Sequence, residues 1–357
     1  MRLQDIGWVQ DASNQEFDAE QIARITCVHR GYCKALSSSG ELNVYLSGKF
    51  HFDASLSHDK PATGDFVKIS PIYTDDQNQK AAILEKILPR RSKISRVASG
   101  HVAEEQVLVS NIDLAFIVTS ANEDISINRL QRYILIANEG SVTPVIILSK
   151  IDLMQNHEDI VSMIKERIPN VEILPVSSIL NIGIKQMKEK LTAGTTAVFL
   201  GSSGVGKSTI VNAFLEKEIQ ATKAVRKTDS KGRHATTSRE LFVLEKGGMI
   251  IDTAGLREIQ VLASKEAMNS SFSKISNMIQ NCKYTNCTHT QEPGCGILMA
   301  LEDGSLIKEE YENYLKLQKE AEYAERKLSK AKTSNTKKRW KEIHKNMKAQ
   351  KKFERKN

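Results

Sequence analysis

Between about Gln21 and Leu88 the chain alternates apolar and polar positions in short runs: "ARITCVHRGYCKALS", "ELNVYLSG", "GDFVKISPI" and "AAILEKIL", with Gly, Ser, Asn and Pro between them. A period of two bounded by turn residues predicts about five antiparallel strands, each with one face buried. At this size the strands predict a small closed barrel of the OB type, an architecture shared by many unrelated functions. Cys27 and Cys33 fall inside the runs, where buried packing is the expected role of a thiol.

From Val107 the period changes. "DLAFIVTS", "VTPVIILSK", "VEILPVSS" and "TAVFLG" are continuous apolar runs that alternate with helix-like stretches at 127–138, 159–167 and 182–191. This is βα repetition, and it predicts a parallel sheet covered on both faces. A further helix, a polar loop from Ala221 to Ser238 and a β pair, "ELFVLEKGGMIIDT", follow. Beyond Leu256 the pattern is helical, interrupted by a Cys-rich loop, and a long helical stretch runs from about Ser305 toward the C-terminus. No internal repeat is evident.

Composition sharpens this in three places. At 357 residues the chain exceeds the usual single-domain range. Its 40% hydrophobic and 26% charged residues are those of an ordinary globular protein. No apolar run approaches the roughly 20 residues of a membrane span, and "MRLQDIGWVQ" lacks a signal-peptide core, so a cytoplasmic protein with no membrane partner is expected. The net charge of +8 is concentrated at one end: Arg326 to Asn357 carries 14 Lys and Arg against two Glu, a local +12 that leaves −4 for the first 325 residues. Such a block is either a solvated helix or a polyanion-binding arm, and its one-sidedness favours the arm. Trp340 and Phe353 are interleaved in it.

The chemistry begins at "GSSGVGKST", which comprises Gly201, Ser202, Ser203, Gly204, Val205, Gly206, Lys207, Ser208 and Thr209. It follows an apolar strand and opens a helix, the context a phosphate loop requires. Backbone N–H groups freed by the glycines can point at phosphate oxygens, with the helix N-terminus adding its dipole. Lys207 is placed to reach the β- and γ-phosphates and Ser208 to ligate Mg²⁺. The loop alone specifies only a nucleoside triphosphate. Base identity comes from "SKID", Ser149, Lys150, Ile151 and Asp152, at the end of an earlier strand. A carboxylate at Asp152 accepts from guanine N1–H and the N2 amine together, a pair adenine does not offer, while Lys150 can lay its stem along the purine. One βα unit later, Ser177 and Ser178 of "PVSS" stand where a loop contacting guanine O6 belongs. After the phosphate loop, "DTAG" places Asp252 to hold Mg²⁺ through water and Gly255 to sense the γ-phosphate. "GRHATT" offers Thr237, with Thr236 as the alternative, as a Mg²⁺-binding switch threonine.

These boxes run in the order base box, second base loop, phosphate loop, switch threonine, DTAG. That is a circular permutation of the familiar GTPase order, and it preserves the core because only a surface connection is cut. Separately, Cys282-x4-Cys287-x-His289-x5-Cys295 supplies three thiolates and an imidazole, enough for a closed, structural tetrahedral Zn²⁺ site with no open position for catalysis. From the residues alone, His289 could instead be a surface residue with water completing the set.

Taken with "EEQVLVSNIDLAFIVTSAN", "GRHATTSRELF" and "CTHTQEPGC", the chain resembles the RsgA family of ribosome small subunit-dependent GTPases, also called YjeQ or EngC, over nearly its whole length. The resemblance implies a multidomain protein: an OB-like β-barrel (1–98), a circularly permuted α/β P-loop GTPase domain (99–258), a helical zinc-binding domain (259–325) and a basic tail (326–357). It also implies GTP hydrolysis to GDP and phosphate, stimulated by the 30S subunit in late 30S maturation, with 16S rRNA as a partner. One structural Zn²⁺ per chain on Cys282, Cys287, His289 and Cys295 and Mg²⁺ with the nucleotide are the expected cofactors, and a monomer the expected state. The chain departs from the family at Ser149, usually Asn, and Ala254, usually Pro.

The residue after the DTAG glycine, a Gln in Ras-type enzymes, is Leu256, which can neither donate nor accept a hydrogen bond. Slow intrinsic turnover is therefore expected, with His234 in the switch loop a candidate water-positioning group; a surface histidine without a role is the alternative. Two other classes compete: an RNA-binding protein with a static nucleotide, which would not turn over even with 30S subunits, and an ATP-dependent kinase, against which Asp152 argues.

Overall fold

A computed structural model describes residues 2–9, 17–48, 50, 60–98, 104–122, 125–215, 239–245, 247–253 and 261–329. Strands β1 (Ile22–Val28), β2 (Tyr32–Ser37), β3 (Gly40–Leu46), β4 (Phe66–Ile69), a short β5 (Tyr73–Thr74) and β6 (Lys80–Ile87) form the N-terminal unit. They are ordered β1-β2-β3-β6-β4, and β4 returns to pair with β1 at Ala23↔Val67, closing a five-stranded barrel in which only β3 and β6 run parallel. The alternation seen in sequence fills it: Ala23, Ile25, Cys33, Ala35, Leu42, Val44, Val67, Ile69, Ala82 and Leu84 point inward. Cys27 and Cys33 are buried as expected, and burial pushes the Cys33 thiol up to about 12.

A hairpin, β7 (Lys93–Val97) with β8 (Glu105–Ser110), leads to the second unit: β9 (Leu114–Ser120), α1 (Ile127–Glu139), β10 (Thr143–Ser149), α2 (Glu158–Arg167), β11 (Glu172–Val176), α3 (Ile184–Glu189), β12 (Thr196–Leu200), α4 (Lys207–Leu215), β13 (Arg239–Val243) and β14 (Met249–Thr253). The sheet order is β11-β10-β9-β12-β14-β13, parallel throughout except for β13. Its strands are apolar on both sides. Phe116 and Val118, Val145 and Ile147, Ala197 and Phe199 face α3 and α4, while Ala115 and Ile117, Ile146 and Leu148, Val198 and Leu200 face α1 and α2. Strand order reverses at β12, between β9 and β14, so the crevice at the carboxyl ends of β12 and β9 is the topological switch point, where open α/β sheets bind ligands.

The chain then adds α5 (Lys265–Ser271), α6 (Ser273–Gln280), α7 (Gly296–Glu302) and α8, helical over 308–329. These helices share the core on the α1 side of the sheet through Met268, Phe272, Ile297, Tyr314 and Leu317.

Barrel and sheet are joined by one β1–β13 pair, Cys27↔Glu240, and by Arg24, which is 0% exposed. Its guanidinium donates to the Ile6 and Asn111 carbonyls (2.7 Å each), Thr196 Oγ1 (2.9 Å) and the Gly64 carbonyl (3.3 Å), and lies 5.0 Å from the Phe66 ring centroid. Burial pulls its pKa down to about 9. Gly64 sits at the same seam with φ +96°, and a Cβ there would meet the Ser110 carbonyl oxygen at 2.1 Å, so only glycine fits. Arg24→Met keeps most of the volume but leaves the Ile6 and Asn111 carbonyls buried without a donor. The expected loss is about 3 kcal/mol or more, at 1–3 kcal/mol per stranded group, read as a lower urea midpoint. An unchanged midpoint would mean that water replaces the guanidinium at no cost.

Candidate functional site

All five parallel strands end at the same edge, so the loops after Leu200, Ser120, Ser149, Val176 and Thr253 converge there. The loop from Gly201 turns directly into α4, whose ladder starts with Ile210 N–H donating to the Gly206 carbonyl (3.0 Å). Gly201 has φ +139°, and a Cβ on it would lie 2.3 Å from the Val118 carbonyl oxygen, which lets the loop pass tightly over β9. Gly204 and Gly206 also have positive φ. Lys207 Nζ donates to the Gly201 (2.7 Å) and Ser202 (2.5 Å) carbonyls. Ser203, Gly204, Ser208 and Thr209 are exposed, while Val205 anchors the loop in the core.

The Ser149–Asp152 turn, which the sequence suggests as the base box, is bound to this loop by the residue that departs from the usual pattern. Ser149, 3% exposed, has its hydroxyl 2.6 Å from the Val205 carbonyl and 3.1 Å from the Thr119 carbonyl; its single proton goes to the nearer. The hydroxyl thus braces the two loops across 56 residues of sequence. Lys150 takes a left-handed conformation (φ 59°), and its Cε lies 4.0 Å from where a Cβ on Gly206 would be, alongside the phosphate loop. Ile151 is buried beneath the turn. Ser177 Oγ donates to Asp152 Oδ1 at 2.5 Å and accepts from the Leu180 N–H at 3.1 Å, so the second loop orients the carboxylate of the first. Ser178, half-buried, stands next to it. Asp252 stands next to last in β14 on this edge, its neighbour Thr253 donating to the Phe199 carbonyl (2.5 Å) and locking β14 to β12. His234, Thr236, Thr237, Gly255 and Leu256 lie outside the described residues.

Sequence reasoning missed Tyr133. It projects from α1 with 5% exposure, where burial pushes its hydroxyl's pKa up and the nearby Ser202 side chain opposes that rise. The available signal was a tyrosine on the apolar stripe of an amphipathic helix, where a buried hydroxyl demands a partner.

In the C-terminal helices, one ligand atom each from Cys282, Cys287, His289 and Cys295 lies within 4.8 Å of the others. Cys282 Sγ is 3.5 Å from His289 Nδ1 and 4.0 Å from Cys295 Sγ, and His289 Nδ1 is 3.4 Å from Cys295 Sγ. Zn–S and Zn–N bonds of about 2.3 and 2.0–2.1 Å imply tetrahedral edges of roughly 3.6–3.8 Å, so three thiols and an imidazole at these spacings fit that ion. His289 turns into the cluster through a left-handed backbone (φ 59°), and the Gly296 N–H donates to Cys282 Sγ (3.3 Å), the kind of bond a thiolate favours. Glu292 gathers the Thr288 hydroxyl and the Thr288, Thr290 and Gln291 amides, which hold its carboxyl well below the usual range.

A phosphate loop at the switch point, a base box braced on it, and strand β12 entering the chain after β9, β10 and β11 define a circularly permuted P-loop GTPase. A family profile described as RsgA GTPase matches residues 87–262. The chain is 37% identical to the small ribosomal subunit biogenesis GTPase RsgA of Methanosarcina acetivorans over 92% of this chain and 87% of that protein, and 36% identical to RsgA 2 of Listeria monocytogenes over 97% of each. It belongs to the RsgA family, and is a GTPase, a hydrolase acting on GTP. YjeQ from Thermotoga maritima (TM-score 0.62, 23% identity, 84% of this chain and 98% of that chain) and YloQ, described as a circularly permuted GTPase (0.59, 21%, 87% and 98%), have the same fold.

Proposed function

We propose that this protein binds the small (30S) ribosomal subunit and hydrolyses GTP in response to it, during late 30S maturation in the cytoplasm. The observation that carries the reading is the joining of base box and phosphate loop, Ser149 to Val205 and Ser177 to Asp152, on the switch-point edge. The names of its relatives, small ribosomal subunit biogenesis GTPases, support the partner. Among the described residues no helix is long and apolar enough to cross a membrane.

In this reading residues 201–209 cradle the phosphates, Lys207 exchanges its loop carbonyls for phosphate oxygens, and Asp152, Lys150, Ser177 and Ser178 select guanine. Ser208, Thr237 and, through water, Asp252 would hold Mg²⁺, which when bound would supply positive charge against the phosphates. Leu256 cannot orient the attacking water, so the subunit orders the switch loop and brings His234 into place. Cys282, Cys287, His289 and Cys295 hold one structural Zn²⁺. The tail from Arg326 adds phosphate neutralisation on 16S rRNA, and the chain acts as a monomer.

Turnover of GTP and ATP should be measured with and without 30S subunits. Slow, GTP-only hydrolysis that the subunit accelerates is expected, with His234→Ala losing the acceleration and keeping nucleotide affinity. ATP turnover, or no response to the subunit, would refute the reading, and a normal response in the variant would remove His234 from it.

A further inference from the structure

Among the described residues three buried side-chain atoms have no hydrogen-bond partner, and two of them, Glu310 Oε2 on α8 and Arg167 Nε at the end of α2, belong to residues that line one cavity of about 190 Å³. Buried polar atoms without partners are rare in folded proteins, and two of opposite charge around one space ask for a common explanation. Pro144 and Val171 also line the cavity, which places it at the amino ends of β10 and β11, the sheet edge opposite the nucleotide loops. Its other walls are α1, the junction of α5 and α6, and α8. The α8 wall is fixed to α1 by Arg132, whose Nη1 and Nη2 donate to Glu320 Oε1 and Oε2 (2.8 and 2.7 Å), and by Asn313, which donates to Gln131 (2.7 Å). The neutral polar groups of the wall satisfy one another, Asn138 donating to Ser271 (2.8 Å) and Asn170 to Ser273 (2.9 Å). Glu310 Oε2 and Arg167 Nε are what remains. Glu310 is 7% exposed, and burial pushes its carboxyl up, with Lys274 and Arg167 pulling the other way. Helix α6 starts at the same wall with Phe272 as its N-cap, a residue that offers no side-chain acceptor to the first-turn amides.

We propose that this cavity binds a free α-amino acid as its zwitterion: the ammonium donates to Glu310 Oε2, the carboxylate accepts from Arg167 Nε and the first turn of α6 beside Lys274, and a short side chain lies on the buried Ile134, Phe272 and Ile275. A cation alone would satisfy Glu310 and leave Arg167 Nε stranded. An anion alone would bring a second negative charge toward Glu310. A zwitterion carries both charges a short distance apart, and the uncapped start of α6 favours its carboxylate through open amides and the helix dipole. The size agrees, since a cavity of about 150 Å³ takes a benzene ring and this one is larger. An apolar wall with a few convergent polar groups is also the usual make-up of a small-molecule site. The walls come from α1 and α2 on one side and from α5, α6 and α8 on the other, so an occupant ties the C-terminal helices to the sheet and stabilises the folded chain by mass action. None of the nucleotide-loop residues takes part.

The test titrates the full chain by calorimetry with glycine, L-alanine, L-valine and inorganic phosphate. At least one of the three amino acids is expected to bind at one site and to raise the thermal midpoint. For the tightest of them, the amine without the carboxylate and the acid without the ammonium should each bind about tenfold weaker or worse, the cost of one unmatched buried group. Glu310→Gln should weaken the amino acid about tenfold without weakening the acid analogue. Arg167→Lys, which keeps the charge and loses Nε, should weaken the amino acid and the acid analogue and spare the amine. Nucleotide affinity and the midpoint without ligand verify that both variants are folded. If none of the three amino acids binds, if phosphate binds in their place, or if both variants bind the amino acid like the parent, the cavity holds water or an oxyanion and the inference falls.

Discussion

If Cys282, Cys287, His289 and Cys295 hold the proposed zinc, its removal is expected to release the loop from Cys282 to Cys295 together with α7, while the sheet, α1 and the nucleotide loops keep their form. Between Cys282 and Glu302 only Cys295, Ile297 and Ala300 are buried apolar residues, too little burial to hold the segment. A closed four-ligand zinc site in a peptide contributes about 10–16 kcal/mol of apparent binding free energy, which here is folding free energy for this segment. Helices α5, α6 and α8 have anchors of their own in Met268, Phe272, Ile275, Tyr314 and Leu317 and in the polar ties to α1. Loss of structure should therefore stop at the loop and α7. Chelation or Cys287→Ser is checked by metal analysis, with about one zinc per parent chain, by hydrogen exchange across the loop, and by GTP binding, which should survive. A metal-free preparation with full protection of the loop and normal response to the subunit would disprove the role.

What the sequence made legible follows from how far a signal travels along the chain. The barrel strands announce themselves because an inward residue at every second position is a local pattern, and Ala23, Ile25, Cys33 and Ala35 obey it. Asp152 and Ser177 were legible as partners because two boxes one βα unit apart must end on the same sheet edge. Ser149 was visible only as a departure, since nothing local says that a hydroxyl can reach Val205. Arg24 was not legible at all. In an alternating strand an arginine reads as an outward, solvated position, and its burial depends on acceptors from the N-terminal turn, the loop before β9, β12 and β14, as far as 225 residues away. The docking of α8 on α1 was hidden for the same reason: Arg132 and Glu320 look like two ordinary helix charges until the fold places them together.

Asp152→Asn should weaken GTP binding tenfold or more and relax the exclusion of xanthosine triphosphate. Ser177 donates to Asp152 Oδ1 in the parent, and an asparagine keeps that bond with its carbonyl oxygen. The exchanged group is therefore the other one: an NH₂ now faces the crevice where the carboxylate offered an acceptor. Guanine presents donors at N1 and N2, so the substitution sets donor against donor. Each mispaired contact costs about 1–3 kcal/mol, and 1.4 kcal/mol is a factor of ten in affinity. Xanthine carries a carbonyl oxygen in place of the N2 amine, which accepts from the new amide, so the loss for GTP should be accompanied by a relative gain for the xanthine nucleotide. Ser177→Ala separates orientation from complementarity. It frees the carboxylate without changing its chemistry and should weaken both nucleotides in proportion. Titrations of the three proteins with both nucleotides decide the matter: an Asp152→Asn variant that binds GTP like the parent would remove Asp152 from base selection.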